Sequence, residues 1–381
     1  MAQSHPDVVV IGVGAFGAWT ALALIERGAS VTLVDSHGPG NPMGSSGGES
    51  RNIRSAYGDR AIYTRWSMRA WDLWQAREAE FGVRCLYPNG SLRALNSTEV
   101  ATQCEVFDAL GQPYELLTAD EVRKRWAQIG YRDAQHILYE PRSGTLTARD
   151  SLVAVAERFR TMGGRLVRAR AVLPAAPTDR LATLTIGDEK VAAGAFVFAC
   201  GPWLPRLFPR LLGSYIKTPR RELFFLAPAP GDRRFDWDRC PNLADPLGWT
   251  SADIGGGVKI APILRHVPMD PDHGDRMPTA ALLDEVRSYV ASRLPGLAGR
   301  PVVTTYVSQL ENTDNDHFII DRHPALSDVV IAGGGSGHAF KMGPVIGEHV
   351  AGIVLGDPPD PALTALFGLA AHGPVGADQG G

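Results

Sequence analysis

Cysteine is scarce in this chain of 381 residues. Its four copies, Cys85, Cys104, Cys200 and Cys240, form no C-x-x-C pair, and none stands near a histidine at zinc-finger spacing. Neither a disulfide framework nor a structural zinc site is expected, no metal ligand set is predicted, and a reducing, cytoplasmic setting fits. Long apolar runs are missing too: nothing approaches the roughly 20 residues that cross a bilayer. The opening M-A-Q-S-H-P-D lacks the basic region of a signal peptide. There is no surplus of positive charge: 38 basic side chains face 41 acidic ones, for a net charge of −3. Nucleic acid is therefore a poor partner. The 42 glycines and 28 prolines follow no period, which excludes collagen-like and low-complexity classes. Residues 376–381 read as a loose tail. What remains is ordinary globular composition, 44% hydrophobic and 21% charged, in a chain long enough for two domains or one large one.

What is there begins with V-V-V-I at residues 8–11, a continuous apolar run suited to a strand buried on both faces. It leads into Gly12-Val13-Gly14-Ala15-Phe16-Gly17. A helical pattern follows from Ala15 to Arg27 with Gly28 as its cap, and then a strand from Ser30 to Val34 that ends at Asp35. Strand, G-x-G-x-x-G, helix, strand and acid form a dinucleotide fingerprint. Gly12 permits the tight turn, Gly14 the approach of a pyrophosphate, and Gly17 close packing of helix on strand. Amides at the helix start meet phosphate, and Asp35 accepts from a ribose hydroxyl. The motif does not separate NAD from FAD, although Asp35 would repel the extra phosphate of NADP.

Further along, A-I-Y-T-R-W-S-M-R-A-W-D-L-W places Ile62, Trp66, Ala70, Leu73 and Trp74 on one helical face. A core helix explains this aromatic stripe better than a ligand cage. Helices are predicted near Thr118–Trp126, Asp150–Met162 and Ala280–Arg293. A strand is predicted over R-L-V-R-A-R-A-V, and a buried one over Ala195–Cys200. Residues 83–145 and 219–310 alternate like antiparallel sheet. The expected fold is α/β: a Rossmann-like cofactor domain from 1–82, 146–218 and 311–375, interleaved with a second α+β domain on a largely antiparallel sheet from 83–145 and 219–310. Ligands then gather at the carboxyl ends of the parallel strands.

Residues 44–54, G-S-S-G-G-E-S-R-N-I-R, set two permanent cations, Arg51 and Arg54, beside a loop of small residues. The run continues S-A-Y-G-D. Together with G-V-G-A-F-G, A-C-G-P-W, V-K-I near Lys259, D-H-F-I-I-D-R-H-P and V-V-I-A-G-G-G-S-G-H-A-F-K, it resembles the monomeric sarcosine oxidase and pipecolate oxidase group. That group lies within the D-amino acid oxidase-like flavoproteins, and the likeness spans nearly the whole chain. It implies FAD as cofactor and oxidation of a C–N bond in an amine bearing a carboxylate, with O2 as acceptor and a monomeric enzyme. It places Ser45, Ser46, Gly201, Trp203, Gly334, Gly335 and Gly337 at the cofactor with the fingerprint residues. Arg51 lies beside the flavin ring by the same resemblance. Arg54 and Lys341 bind the carboxylate, and His338 stands near the flavin. Lys259 promotes the reaction with oxygen, where a cation stabilises developing negative charge. The amides of residues 333–338 favour an anionic reduced flavin.

The chain also departs from the group's pattern. The cysteine that attaches FAD in close relatives lies ten residues before the phenylalanine matching Phe318, and Ser308 stands there. Two histidines of the group are replaced by Ser46 and Gly47. Hydroxyl is a poorer nucleophile than thiolate, so FAD is expected to bind non-covalently. Ile263 and Gly335 replace a histidine and an aromatic residue, which predicts a larger, more apolar substrate pocket. A flavin dehydrogenase or tailoring enzyme working on a bulky amine is the alternative activity. A flavin-binding subunit without turnover is the alternative of another class.

Overall fold

Val8–Ile11 is apolar at every position because both its faces are covered. Val8 and Val10 pack into one buried cluster with Trp19 and Leu22. Val9 and Ile11 face the other way, into a cluster with Phe196 and Phe198. In the computed structural model, which describes residues 5–132, 134–174, 179–263 and 265–373, this strand is central in a six-stranded sheet. Its order is Ile319–Arg322, Val329–Gly333, Ala195–Phe198, Val8–Ile11, Val31–Asp35 and Arg165–Arg168. All pairings are parallel except the first, which is antiparallel. The helix Ala15–Glu26 returns across one face. It lies close to the helix Gly343–Leu355, because a Cβ at Gly347 would come within 2.5 Å of the Trp19 backbone. The expected tail at 376–381 lies outside the described residues.

An eight-stranded sheet stands beside the first. It runs Val302–Gln309, Arg220–Leu226, Val258–Pro262, Gly248–Ser251, Asn242–Asp245, Ser91–Leu95, His136–Glu140, Glu115–Leu117. Only the contact of Asn242–Asp245 with Ser91–Leu95 is parallel. The helix Ala280–Arg293 buries Val286, Tyr289 and Val290 against this sheet, in a core of its own with Leu92, Phe224 and Ile260. A small sheet of Ser50–Ile53, Gly144–Thr147 and Leu86–Tyr87 carries Arg51. The mixed α/β fold with a parallel and a largely antiparallel sheet is as the sequence predicts.

Two local expectations change. The run R-L-V-R-A-R-A-V is two strands in different sheets, Arg165–Arg168 and Ala171–Val172, because the chain leaves the parallel sheet between them. Residues 97–110, left within a mixed region, form a helix, Ser97–Leu110. Asn96 caps it by accepting from the Glu99 amide, and the Glu99 carboxylate accepts from the Asn96 amide in return. N-S-T-E is the readable signal for such a start. The helix Ala61–Phe81 is a core element as read, burying Trp66, Ala70, Trp71 and Trp74, while Ile62 and Leu73 lie at its margin.

Candidate active site

The first strand feeds the glycine turn. A Cβ at Gly12 would lie 2.3 Å from the Ala199 carbonyl, and Gly12 sits at φ +103°, so only glycine fits. A Cβ at Gly17 would lie 1.9 Å from the Gly12 carbonyl, which holds the helix against the turn. Asp35 closes the motif. Its carboxylate accepts from the Val13 amide at 2.9 Å and from the His37 and Gly38 amides at 2.7 Å. A cavity of about 470 Å³ opens here, bordered by Gly14, Asp35, Ser46, Gly201, Trp203 and Glu311.

The loop after the second strand folds back onto this motif. Ser46 Oγ accepts from the Ala15 amide at 3.0 Å. Ser45 Oγ, in contrast, is buried with no hydrogen-bond partner among the described residues, although it too borders the cavity. The start of the helix Ala15–Glu26 has no side-chain cap of its own. A cradle without a Cβ at Gly14, an unpartnered hydroxyl and a helix start whose Ala15 amide is met only by the Ser46 hydroxyl suit the diphosphate of a dinucleotide.

Arg51 holds the small-residue loop together. Its guanidinium donates to the Ser45 and Gly47 carbonyls at 2.7 and 2.5 Å and to the Ser50 carbonyl at 2.7 Å. It also lies 5.5 Å over the Phe340 ring. Lys259 Nζ donates to the same Ser50 carbonyl at 2.6 Å and sits 4.9 Å over Trp249. Lys259 is only 1% exposed. Burial first, then Arg51 and Arg221, holds its ammonium well below the usual lysine range.

Arg54 and Lys341 meet from opposite ends of the chain at one ring. The Arg54 guanidinium lies 4.9 Å and the Lys341 ammonium 5.1 Å from the centre of Tyr57. Lys341 Nζ donates to the His338 carbonyl at 3.0 Å. Its backbone carbonyl accepts from Trp74 Nε1 at 2.7 Å, so the core helix positions it. Burial, and then Arg54, pushes Lys341 well below the ordinary lysine value. His338 is pushed down to about 3 by burial and then by Lys341. A neutral ring must place its proton on Nε2, which donates to the Asp316 carbonyl at 2.9 Å. Nδ1 then accepts from the Tyr57 hydroxyl at 3.3 Å.

The sequence profile of the FAD dependent oxidoreductase family, DAO, matches residues 7–353. The chain belongs to this family. Monomeric sarcosine oxidase of Bacillus sp. (strain NS-129) is 28% identical over 364 residues, covering 92% of each chain. N-methyl-L-tryptophan oxidase of Salmonella heidelberg (strain SL476) is 28% identical over 384 residues, covering 94% of this chain and 97% of its own. The fold matches that of L-proline dehydrogenase from P. horikoshii, with a TM-score of 0.81, 22% identity, and coverage of 94% and 95%.

As an FAD-dependent oxidoreductase, the chain shows further features at the positions the sequence singled out. Ser308 is buried, its hydroxyl turned to the Gln309 carbonyl at 3.2 Å. Cys200 borders the dinucleotide cavity, but burial holds its thiol far above the ordinary value, so thiolate is scarce there. The pocket enlargement expected at Ile263 and Gly335 is not found. Ile263 is 53% exposed at a strand end and borders neither main cavity. At Gly335 a Cβ would meet Ala339, Glu311 and Phe16 at 3.1–3.2 Å, so neighbours already fill the space.

The amides of residues 333–338 are not all free for a flavin either. Gly334 N–H donates to the buried Glu311 carboxylate at 3.3 Å, and Gly337 and His338 turn to a second cavity of about 600 Å³. Sequence reasoning missed Tyr57 as the ring between the cations, Glu140 behind them, Glu311, and Arg93, which donates to the Ala56 carbonyl at 3.0 Å. Tyr57 lay within the readable A-Y-G motif. The others are single polar residues in strands or loops and carry no spacing signal. Among the described residues no helix is long and apolar enough to cross a membrane, and no cluster could hold a metal ion.

Proposed function

We propose an FAD-dependent amine oxidase that converts the C–N bond of a secondary amine carrying a carboxylate to an imine, with O2 reduced to H2O2. The substrate is an N-methyl amino acid, a cyclic imino acid or a larger amino-acid derivative. The convergence of Arg54 and Lys341 on Tyr57 carries this reading. A half-buried guanidinium fork and a buried ammonium from separate elements form a carboxylate clamp beside a neutral histidine. FAD, when bound, supplies the two-electron acceptor. Gly12, Gly14, Ala15, Phe16 and Gly17, with Asp35, Ser45, Ser46, Gly201 and Trp203, form its dinucleotide cradle. Arg51, Gly334, Gly335, Gly337, His338 and Lys341 are the residues that would hold its ring, as the motif resemblance implies.

Arg54 and Lys341 fix the carboxylate, and with it the C–H beside nitrogen. His338, proton on Nε2, adds no charge. No general base is assigned, and the amine binds deprotonated in this reading. Lys259 supplies positive charge for oxygen on the side of Arg51. FAD is held without a covalent bond, since Ser308 replaces the thiol. The segments 1–82, 146–218 and 311–375 form the cofactor domain of this proposal, and 83–145 and 219–310 the substrate domain. A cytoplasmic monomer completes it, in keeping with four free cysteines.

The test compares a substrate with its methyl ester. The ester should reduce the flavin with a half-saturating concentration raised on the order of 100-fold. Equal behaviour of acid and ester would remove the carboxylate clamp from the account.

A further inference from the structure

The second cavity, about 600 Å³, is polar where a larger apolar pocket was expected. It is bordered by Arg54, His338, Arg93 and Gln103. Arg93 stands on Ser91–Leu95, and its Nη1 shares the Ala56 carbonyl with Arg54. The buried Glu140 carboxylate is the nearest counter-charge, and it acts on both Arg54 and Arg93. One acid against these two guanidinium groups and the Lys341 ammonium leaves a surplus of positive charge. Among the described residues, the other acids at this cavity, Asp59 included, form no ion pair with these two arginines. Glu99 accepts from the Asn96 amide, Glu140 from the Ser55 amide, and Asp316 faces Arg60 at 3.9 Å.

Gln103 is the independent observation. It is 2% exposed, and its Oε1 accepts from the Gly58 amide at 2.7 Å. That bond fixes the amide's orientation and leaves Nε2 as the free end. Nε2 is buried with no partner among the described residues. A buried donor without an acceptor is costly, and so is a cluster of like charges that a single carboxylate, Glu140, does not balance. An acceptor-rich, negatively charged group satisfies both. A neutral aliphatic side chain would leave every one of these donors unpaired.

We propose that Arg93 and Gln103 recognise a second acidic group on the amine substrate, which makes the substrate class an N-substituted amino dicarboxylic acid. This rests on the reading of Arg54 and Lys341 as the clamp for the first carboxylate. Because Arg54 and Arg93 share the Ala56 carbonyl, they stand side by side, a spacing that suits the two carboxylates of one short diacid.

Dissociation constants of succinate, glutarate and butyrate, read from the flavin absorbance of the holoenzyme, test it. The better diacid should bind at least about tenfold more tightly than butyrate. Arg93→Met should bring that ratio close to one, and Gln103→Leu should lower it in the same direction. Arg93→Lys, which keeps the charge and loses the fork, should retain part of it. Should Arg93→Met fail to fold, Arg93→Lys and Gln103→Leu carry the test. Diacids that bind no better than butyrate, or substitutions that weaken butyrate and diacids alike, would overturn the assignment. A failure of the amine-oxidase reading looks different: the diacid preference stands, but no carboxylic amine reduces the flavin.

Discussion

Charged side chains in this site are organised around backbone carbonyls. Arg51 and Lys259 share the carbonyl of Ser50, and Arg54 and Arg93 share that of Ala56. A carbonyl orients a cation without pairing it to a negative charge, which leaves the arginines free to meet an anionic ligand. Replacing Arg54 or Lys341 by methionine should therefore cost about 2–4 kcal/mol of substrate binding, roughly 30- to 1,000-fold in kcat/KM. Steady-state kinetics on either variant checks this. Lys259→Met should leave anaerobic flavin reduction intact and slow reoxidation by on the order of 100-fold, measured by stopped flow. Glu311 has a different consequence. Burial raises its carboxyl from 4.5 to about 8, against the amides of Gly334 and Gly335. The folded protein thus binds a proton that the unfolded chain releases. The stabilising contribution is complete below about pH 4.5 and is lost as pH rises through about 8. Glu311→Gln should match the wild type in thermal midpoint near about pH 5 and exceed it above about pH 8. A constant difference across that range would contradict the assignment.

At the scale of elements, the helix Ala61–Phe81 shows that core and function are not alternatives. Its aromatic stripe is core, as the spacing implies, yet Trp74 also donates to the carbonyl of Lys341. Trp74→Phe keeps an aromatic ring and removes this donor from the Lys341 carbonyl. It should cost about 1–3 kcal/mol of stability, read by denaturant unfolding, and raise KM more than it lowers kcat. Legibility varies between elements for the same physical reasons. The first strand–turn–helix–strand unit was readable because each glycine there answers a steric demand at a fixed spacing. The helix Ser97–Leu110 was passed over, although its capping box was in plain sequence, because alternation in the surrounding strands dominated the reading. The run from Arg165 to Val172 misled because a change of sheet leaves no mark on hydrophobic periodicity.

Across the whole molecule, the site is assembled from segments near residues 12, 46, 54, 259 and 341, which only the interleaving of two sheets brings together. Motif resemblance supplied Arg54 and Lys341. It could not supply Arg93, Gln103 or Glu311, whose meaning lies in what surrounds them. By the motif resemblance Ser308 stands in place of the linking cysteine, and the proposed non-covalent flavin predicts that acid precipitation leaves the yellow chromophore in the supernatant and none in the pellet. The central claim is oxidation of a secondary amine that carries a carboxylate. The most direct test is anaerobic. The flavin-loaded protein is mixed with N-methyl amino acids, proline, pipecolate and N-methyl glutamate, and the flavin absorbance is followed. The account predicts bleaching by at least one of these, and none by the same amine lacking its carboxylate. A flavin that stays oxidised with every carboxylic amine, or bleaches equally with the decarboxylated ones, would contradict it.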